Sequence, residues 1–428
     1  MKYRADIDGL RAVAVLSVVM FHLDIGGFAG GFVGVDVFFV ISGYLITSLI
    51  IHKVERGSFT LSDFYFRRIR RLIPPLIATI AATAIAASFI LEPFDMKGFA
   101  RSAVAALFSV SNVLFYFEAG YWDTASELKP LLHTWSLGVE EHFYLFGPAL
   151  LLLILRPKRR YLLTLSLVLL SLFGAWLCIG YTYVDQSAAF YLLPFRVFQF
   201  ALGALVISLS NCAIPAMVLR LSFFVGLMLI ASSVFSFGEG VVFPGWVILL
   251  PTLGTTLVLL AGTARHGGLA RLLMENRLSL WIGRVSYSMY LVHWPLIALY
   301  RYRYGVELQF QDQLILAAAT LVLTVALHYM VERRFYQRAP ADVERRDLLS
   351  GAQLAAGVLA ASIAIAIPMI HAWTGDGWAW RFSSLLLTPD QIEQGMKHRY
   401  THYSRSCAIE QSDRTTTAQS HVTQNDQG

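Results

Sequence analysis

The chain has 428 residues, 56% of them hydrophobic and only 14% charged, with a formal net charge of +6. Soluble domains carry about 25% charged residues, and here the apolar residues come in blocks of roughly 18 to 22, enough to cross about 30 Å of hydrocarbon. The expected fold class is an all-α polytopic membrane protein: barrel-like alternation is absent, the three cysteines form no disulfide or zinc pattern, and the basic excess lies in short loops, which topology explains better than nucleic-acid binding does, so no nucleic-acid partner is expected.

In chain order, apolar segments lie at about 7–26, 32–52, 72–92, 99–117, 135–155, 161–181, 190–210, 219–237, 244–262, 279–300, 314–335 and 350–371. The first holds Arg11 and His22 and runs into Gly26-Gly27-Phe28-Ala29-Gly30-Gly31 without a clear cleavage site, so it is expected to be a retained helix. Basic loops face the cytoplasm, and four stand out: Lys53–Arg71, Arg156–Arg160, Thr263–Arg277 and Glu332–Arg346. If every segment crossed, the first two loops would face opposite sides. Segment 99–117, with Arg101, Ser102, Ser109, Ser111 and Asn112, is the one expected not to span. About 11 transmembrane helices and one re-entrant or surface segment then place the N-terminus inside and the C-terminus outside. The chain divides into a membrane domain of ten spans (1–348), an additional transmembrane helix (349–371) and a polar extracytoplasmic tail (372–428), too poor in apolar residues for its own core.

Ionisable residues inside apolar segments mark functional sites by default. Arg11 and His22 are eleven residues apart; on a helix that is about 16.5 Å of rise and leaves the pair about 20° apart around the axis. Asp36, near the outer end of the second segment, is expected at the depth of His22, where a carboxylate can orient an imidazole; an interhelical polar contact is the other reading. Arg67, Arg68, Arg70 and Arg71 form a basic cluster suited to phosphate, or to anchoring topology against the anionic headgroups of membrane lipids. Ser136 and Glu140 are four apart and share a helix face, within a stretch that also holds His133, Glu141 and His142. No HExxH pattern is present, and no metal is expected. Arg196 is the expected partner for Glu140 or Glu141. His293 lies among Tyr287, Tyr290 and Trp294, as part of an aromatic belt or of a site. Glu332-Arg333 reads as a boundary pair. The inner group of polar residues is basic and suits a phosphorylated donor; the outer group holds His, Asp, Glu and Ser and suits base catalysis on a hydroxyl. Group transfer across the membrane and proton-coupled transport both fit this split.

Six stretches in this order, DGLRAVAVLSVVMFH, GGFVGVDVFFVISGYLIT, FYFRRIRRLIP, LLHTWSLGVEEHFYL, SYSMYLVHWPL and VERRF, resemble the acyltransferase type 3 family of bacterial integral-membrane O-acyltransferases. The resemblance runs through residues 5 to 335, essentially the whole membrane region. It implies transfer of an acyl group, usually acetyl from cytosolic acetyl-CoA, to a hydroxyl of an exported glycan or lipid-linked oligosaccharide such as O-antigen or exopolysaccharide. It also implies the bacterial inner membrane as the location. The family's Arg and His of the first span carry over to Arg11 and His22. Its Arg-x-x-Arg element fits two frames and, by alignment to the following Leu-Ile-Pro, favours Arg68 and Arg71. Its Trp-Ser-Leu-x-x-Glu element carries over to Trp135, Ser136 and Glu140. Many relatives with the extra last span continue into an exported SGNH-hydrolase-like domain, whereas this chain stops soon after Cys407.

The expected mechanism has Arg11 and the arginine cluster bind acetyl-CoA at the cytosolic mouth. The thioester points towards His22, the general base or transient acyl carrier, oriented by Asp36 or a Glu. Glu140, His293 and Arg196 shape the outer pocket. The competing readings are a carrier or flippase for a lipid-linked glycan and a truncated, inactive family member acting as a partner.

Overall fold

In the computed structural model, the described residues are 3–119, 126–155, 160–238, 240–263, 274–335 and 346–382, and they contain helices and turns but no strand. The expected tail beyond residue 382 and most of three of the expected basic loops lie outside them. The helices are α1 (Ala5–His22), α2 (Gly34–Glu55), α3 (Leu61–Ile90), α4 (Pro93–Leu107), α5 (Ser111–Glu118), α6 (Thr134–Ile154), α7 (Arg160–Thr182), α8 (Gln186–Tyr191), α9 (Leu193–Leu209), α10 (Ala216–Ser236), α11 (Leu249–Ala261) and α12 (Arg277–Tyr304). After them come α13 (Phe310–Leu327), prolonged by a π turn at His328–Glu332 into Arg333–Phe335, and α14 (Arg346–Thr374). Residues up to Gly377 belong to one unit; the short turn Ala379–Phe382 belongs to another.

Among the described residues, eight helical segments are long and apolar enough to cross a membrane: α2, α3, α6, α7, α8 with α9, α10, α13 and α14. Three more helices stand where spans were expected. Asp6, Asp8 and Arg11 dilute the apolar character of α1, four arginines do so in α12, and the apolar stretch Trp246–Ala261 that ends in α11 is short. Helix α3, with 30 residues, is about 45 Å long, against about 30 Å of hydrocarbon. Its surplus length carries the arginine cluster.

Segment 99–117, expected not to span, is not one continuous helix. It breaks into α4 and α5 at Ser109, which adopts a left-handed φ of 58°, and the 15 residues of α4 rise only about 22 Å. Both ends of this elbow are tied to the end of the bundle where His22 lies. Tyr302 donates to Asp95 at 2.7 Å, Lys129 donates to Glu118 at 2.8 Å, and the Trp294 indole, which packs on His22, donates to the Lys129 carbonyl at 2.8 Å. Both ends of the elbow therefore lie at the same end of the bundle. Backbone that ends at membrane depth needs protein around it, and α14 supplies a wall by packing along α4 and α3.

Helices α2 and α9 pack through glycine. A Cβ on Gly43 would lie 2.1 Å from the Phe200 carbonyl oxygen, and one on Gly203 would lie 2.0 Å from that of Val40. The two backbones touch, and this sets which faces of α2 and α9 meet.

Candidate active site

A cavity with about 710 Å³ of empty volume lies among α1, α2, α3, α6 and α12. Arg11, Arg68, Arg71, Ser42, Ser136 and Glu140 line it together with Tyr144, Tyr287 and Tyr290. Arg68 and Arg71 are three apart and share a helix face. The other frame points elsewhere: Arg67 is 55% exposed and its Nε donates to Asp63 at 2.7 Å, and Arg70 is not among the lining residues. The Arg68 guanidinium also lies 5.2 Å from the Tyr144 ring centre, within cation–π range. Arg11 keeps a long contact of 3.9 Å to Asp8, itself held by the Tyr3 hydroxyl at 2.6 Å. Three guanidiniums on one cavity are chemically suited to phosphate or another anion.

Glu140 faces them. Ser42 donates to its carboxylate, and Tyr144 donates to Ser42 at 3.3 Å. Ser136, one helical turn before Glu140, is bonded to the Tyr290 hydroxyl at 2.6 Å, and Tyr290 donates to the His133 carbonyl at 3.0 Å. Phe38 meets the Tyr290 ring edge to face at 6.3 Å, and both line the cavity.

On the other side of Tyr290 lies a cluster of histidines. His22 Nδ1 is 3.1 Å from His293 Nε2, and His293 Nδ1 is 2.7 Å from the Tyr290 carbonyl oxygen. The His133 ring packs against Tyr290 and His293 with centres 5.6 and 5.9 Å away. His133 is buried, and neither ring nitrogen has a hydrogen bond of normal geometry, with the Leu291 carbonyl in range. Its place beside His293 was not read from the sequence, because only the packing of α12 against the segment before α6 joins them. Among the described residues, no group of three or more His, Cys, Asp or Glu side chains is placed to hold a metal ion.

Asp36 is not beside His22. Its carboxylate accepts from Arg196 at 2.9 Å and from Gln199 at 2.7 Å, and Arg196 is therefore not the partner of Glu140 or Glu141. The Arg196 Nε donates to the Phe190 carbonyl at 3.0 Å, and its guanidinium lies within 5.8 Å of the Trp135, Phe190 and Phe243 ring centres. The helix faces explain both differences. Asp36 is seven residues before Gly43, about 20° from it around the axis, so it shares the face pressed onto α9. Arg196 and Gly203 have the same spacing on α9. Trp135 belongs to this aromatic shell and does not line the cavity. Glu332, expected as a boundary residue, is instead buried in the π turn and accepts from Ser288 at 2.6 Å, with His328 at 2.9 Å.

Residues 4–333 match the family model described as an acyltransferase domain. The chain belongs to the acyltransferase family. This acyltransferase is 34% identical over 317 residues to the peptidoglycan O-acetyltransferase OatA of Listeria monocytogenes, covering 70% of the chain and 50% of that protein. It is 30% identical over 352 residues to BcsY of Komagataeibacter xylinus, named as a membrane-bound transacylase, covering 80% and 86%. It is 31% identical over 310 residues to the O-acetyltransferase OatA of Staphylococcus aureus, covering 69% and 51%. The acyltransferase thus spans about half the length of the OatA proteins it matches. No solved structure matches it.

Proposed function

We propose that the chain is a membrane O-acetyltransferase that moves an acetyl group from acetyl-CoA to a hydroxyl of an exported cell-surface glycan. The observation that carries this reading is Tyr290. Its hydroxyl side borders a cavity lined by three guanidiniums, and its carbonyl holds the histidine that touches His22. This arrangement supports adjoining sites for a donor with phosphates and an acceptor with a hydroxyl. The OatA relatives are named for O-acetyl transfer, which supports the reaction class.

In this reading Arg68, Arg71 and Arg11 hold the phosphorylated end of the donor. The thioester carbonyl points towards Tyr290, whose ring and that of Phe38 swing aside when the acyl group passes. His22 takes the proton from the acceptor hydroxyl as general base, and Glu140 holds Ser42 on the cavity wall. The arginine end faces the cytosol, source of the donor, and the His22 end faces outward in a bacterial inner membrane.

The test is radiolabelled acetyl-CoA added to inverted membrane vesicles containing the protein and its surface glycan. Label on the glycan supports the reading, and His22→Ala should abolish it while the protein still inserts and folds. Glycan crossing the membrane without label would make the chain a carrier, and neither label nor movement would make it an inactive partner.

A further inference from the structure

His22 has no carboxylate partner among the described residues, so a different group must orient its ring if it is to act as a base. We propose that His293 is this positioning residue: it accepts the His22 Nδ1–H and leaves His22 Nε2 as the atom that takes the acceptor's proton. The inference rests on the transfer reaction proposed above.

The direction of each hydrogen bond follows from what each atom can do. The Tyr290 carbonyl, 2.7 Å from His293 Nδ1, can only accept, and so can the Met289 carbonyl at 3.2 Å. His293 Nδ1 therefore carries a proton. In neutral His293 the remaining ring nitrogen, Nε2, then has a lone pair. That lone pair meets His22 Nδ1 at 3.1 Å, so His22 Nδ1 must donate and its Nε2 is bare. His22 is half-buried, and its Nε2 makes no hydrogen bond to the described residues. The chain of hydrogen bonds ends at a helix carbonyl, which can only accept, so the tautomer of His22 is set by the backbone of α12.

Two further contacts hold His22 in place. Trp294, the neighbour of His293, packs on His22 with ring centres 4.4 Å apart and is itself anchored to the Lys129 carbonyl at 2.8 Å. Arg301, two turns further along α12, donates to the His22 carbonyl at 3.2 Å and fixes the last turn of α1. Arg301 is in turn held by Asp24 at 2.5 Å and lies 3.8 Å from Glu127. One face of α12 thus supplies the acceptor for Nδ1, the wall against the ring and the anchor for its backbone. The charged and titratable groups around His22 are Arg301, Asp24, Glu127, His133 and His293.

The step balances as follows. The acceptor O–H gives its proton to His22 Nε2 as its oxygen bonds to the thioester carbonyl carbon. The carbon–sulfur bond breaks, and the departing thiolate takes the proton back from His22 Nε2. While His22 is an imidazolium, its Nδ1–H bond to neutral His293 is charge-assisted and stronger. His293 never touches the substrate. It has the role that the buried acid has in a hydrolase triad, with a neutral acceptor in place of a charged one.

Nitrogen-15 NMR of histidine-labelled protein in nanodiscs reads the tautomer directly, with His22→Ala identifying the signal. The expected spectrum has the His22 proton on Nδ1 and a bare Nε2 in the wild type, and a shift of the proton to Nε2 in His293→Leu. In the same variant kcat for acetyl transfer should fall by on the order of 10³- to 10⁴-fold, the scale of a misplaced tautomer, with KM for acetyl-CoA unchanged. His293→Gln keeps an acceptor for His22 and should restore a large part of kcat. A wild-type His22 signal with the proton on Nε2 overturns the proposal, and so does a His293→Leu enzyme that turns over at the wild-type rate. A protein that shows the bare Nε2 yet transfers no acetyl group refutes the transfer reading and leaves the tautomer assignment standing.

Discussion

Asp36 separates two accounts of this molecule, because it can either orient a base or hold a charge in the bundle. Its contacts favour the second. Arg196 is fully buried, its Nη1 lies 2.9 Å from Asp36 Oδ1, and its Nη2 has no hydrogen-bond partner. Asp36→Ala would leave that guanidinium enclosed by three rings with no counter-charge. Breaking a buried pair from one side costs about 3–5 kcal/mol, and the lost acceptor for Gln199 adds about 1 kcal/mol. Thermal unfolding of the purified protein should show this loss. The double replacement Asp36→Leu with Arg196→Met should lose less than Asp36→Ala, because it removes both charges together. Acetyl transfer by the folded fraction of Asp36→Asn should stay within the range of the wild type. If Asp36→Asn instead unfolds like the wild type and has no activity, Asp36 acts in the chemistry and the structural account is refuted.

Gly203→Ala should destabilise the protein by about 1–3 kcal/mol, since the new methyl carbon meets a backbone carbonyl at 2.0 Å; unfolding at the wild-type temperature would show that α2 and α9 do not touch there. Arg68→Gln and Arg71→Gln should each raise KM for acetyl-CoA, and Arg67→Gln should not. A lost charge-assisted bond of about 1.5–3 kcal/mol corresponds to roughly ten- to a hundredfold, and equal effects at all three positions would remove the cavity as the donor site. Glu332→Leu strips the acceptor from Ser288 and His328 and should cost about 1–3 kcal/mol in thermal unfolding, whereas a surface boundary pair would cost almost nothing.

Local periodicity was enough to place the helices, because the apolar blocks needed only their length. The break of 99–117 into two short helices agrees with its polar residues, which had set it apart from the other apolar segments. The same spacing logic separates Arg68 and Arg71 from Arg67 and Arg70, but it cannot say which face turns inward; Asp63 decides that by drawing Arg67 outward. Partners across helices were harder. Asp36 and His22 share a depth, yet depth says nothing about azimuth, and the Gly43–Gly203 contact turns Asp36 towards α9. The seven-residue spacing from Asp36 to Gly43 was a usable signal, since a glycine in a helix marks close approach and its face can be extended by two turns. The meeting of His133, His22 and His293 had no such signal.

The elbow of α4 and α5 is made early in synthesis, and the helix that walls it, α14, is the last one described. Between those two moments the α4 surface must face lipid, translocon or a chaperone. Assembly of this bundle therefore cannot finish in the order in which its parts emerge. A truncation before α14 could leave every residue of the donor cavity and the histidine cluster in the chain and still yield a protein that the membrane's quality control removes, so a loss of activity on such truncation would report on biogenesis before it reported on chemistry.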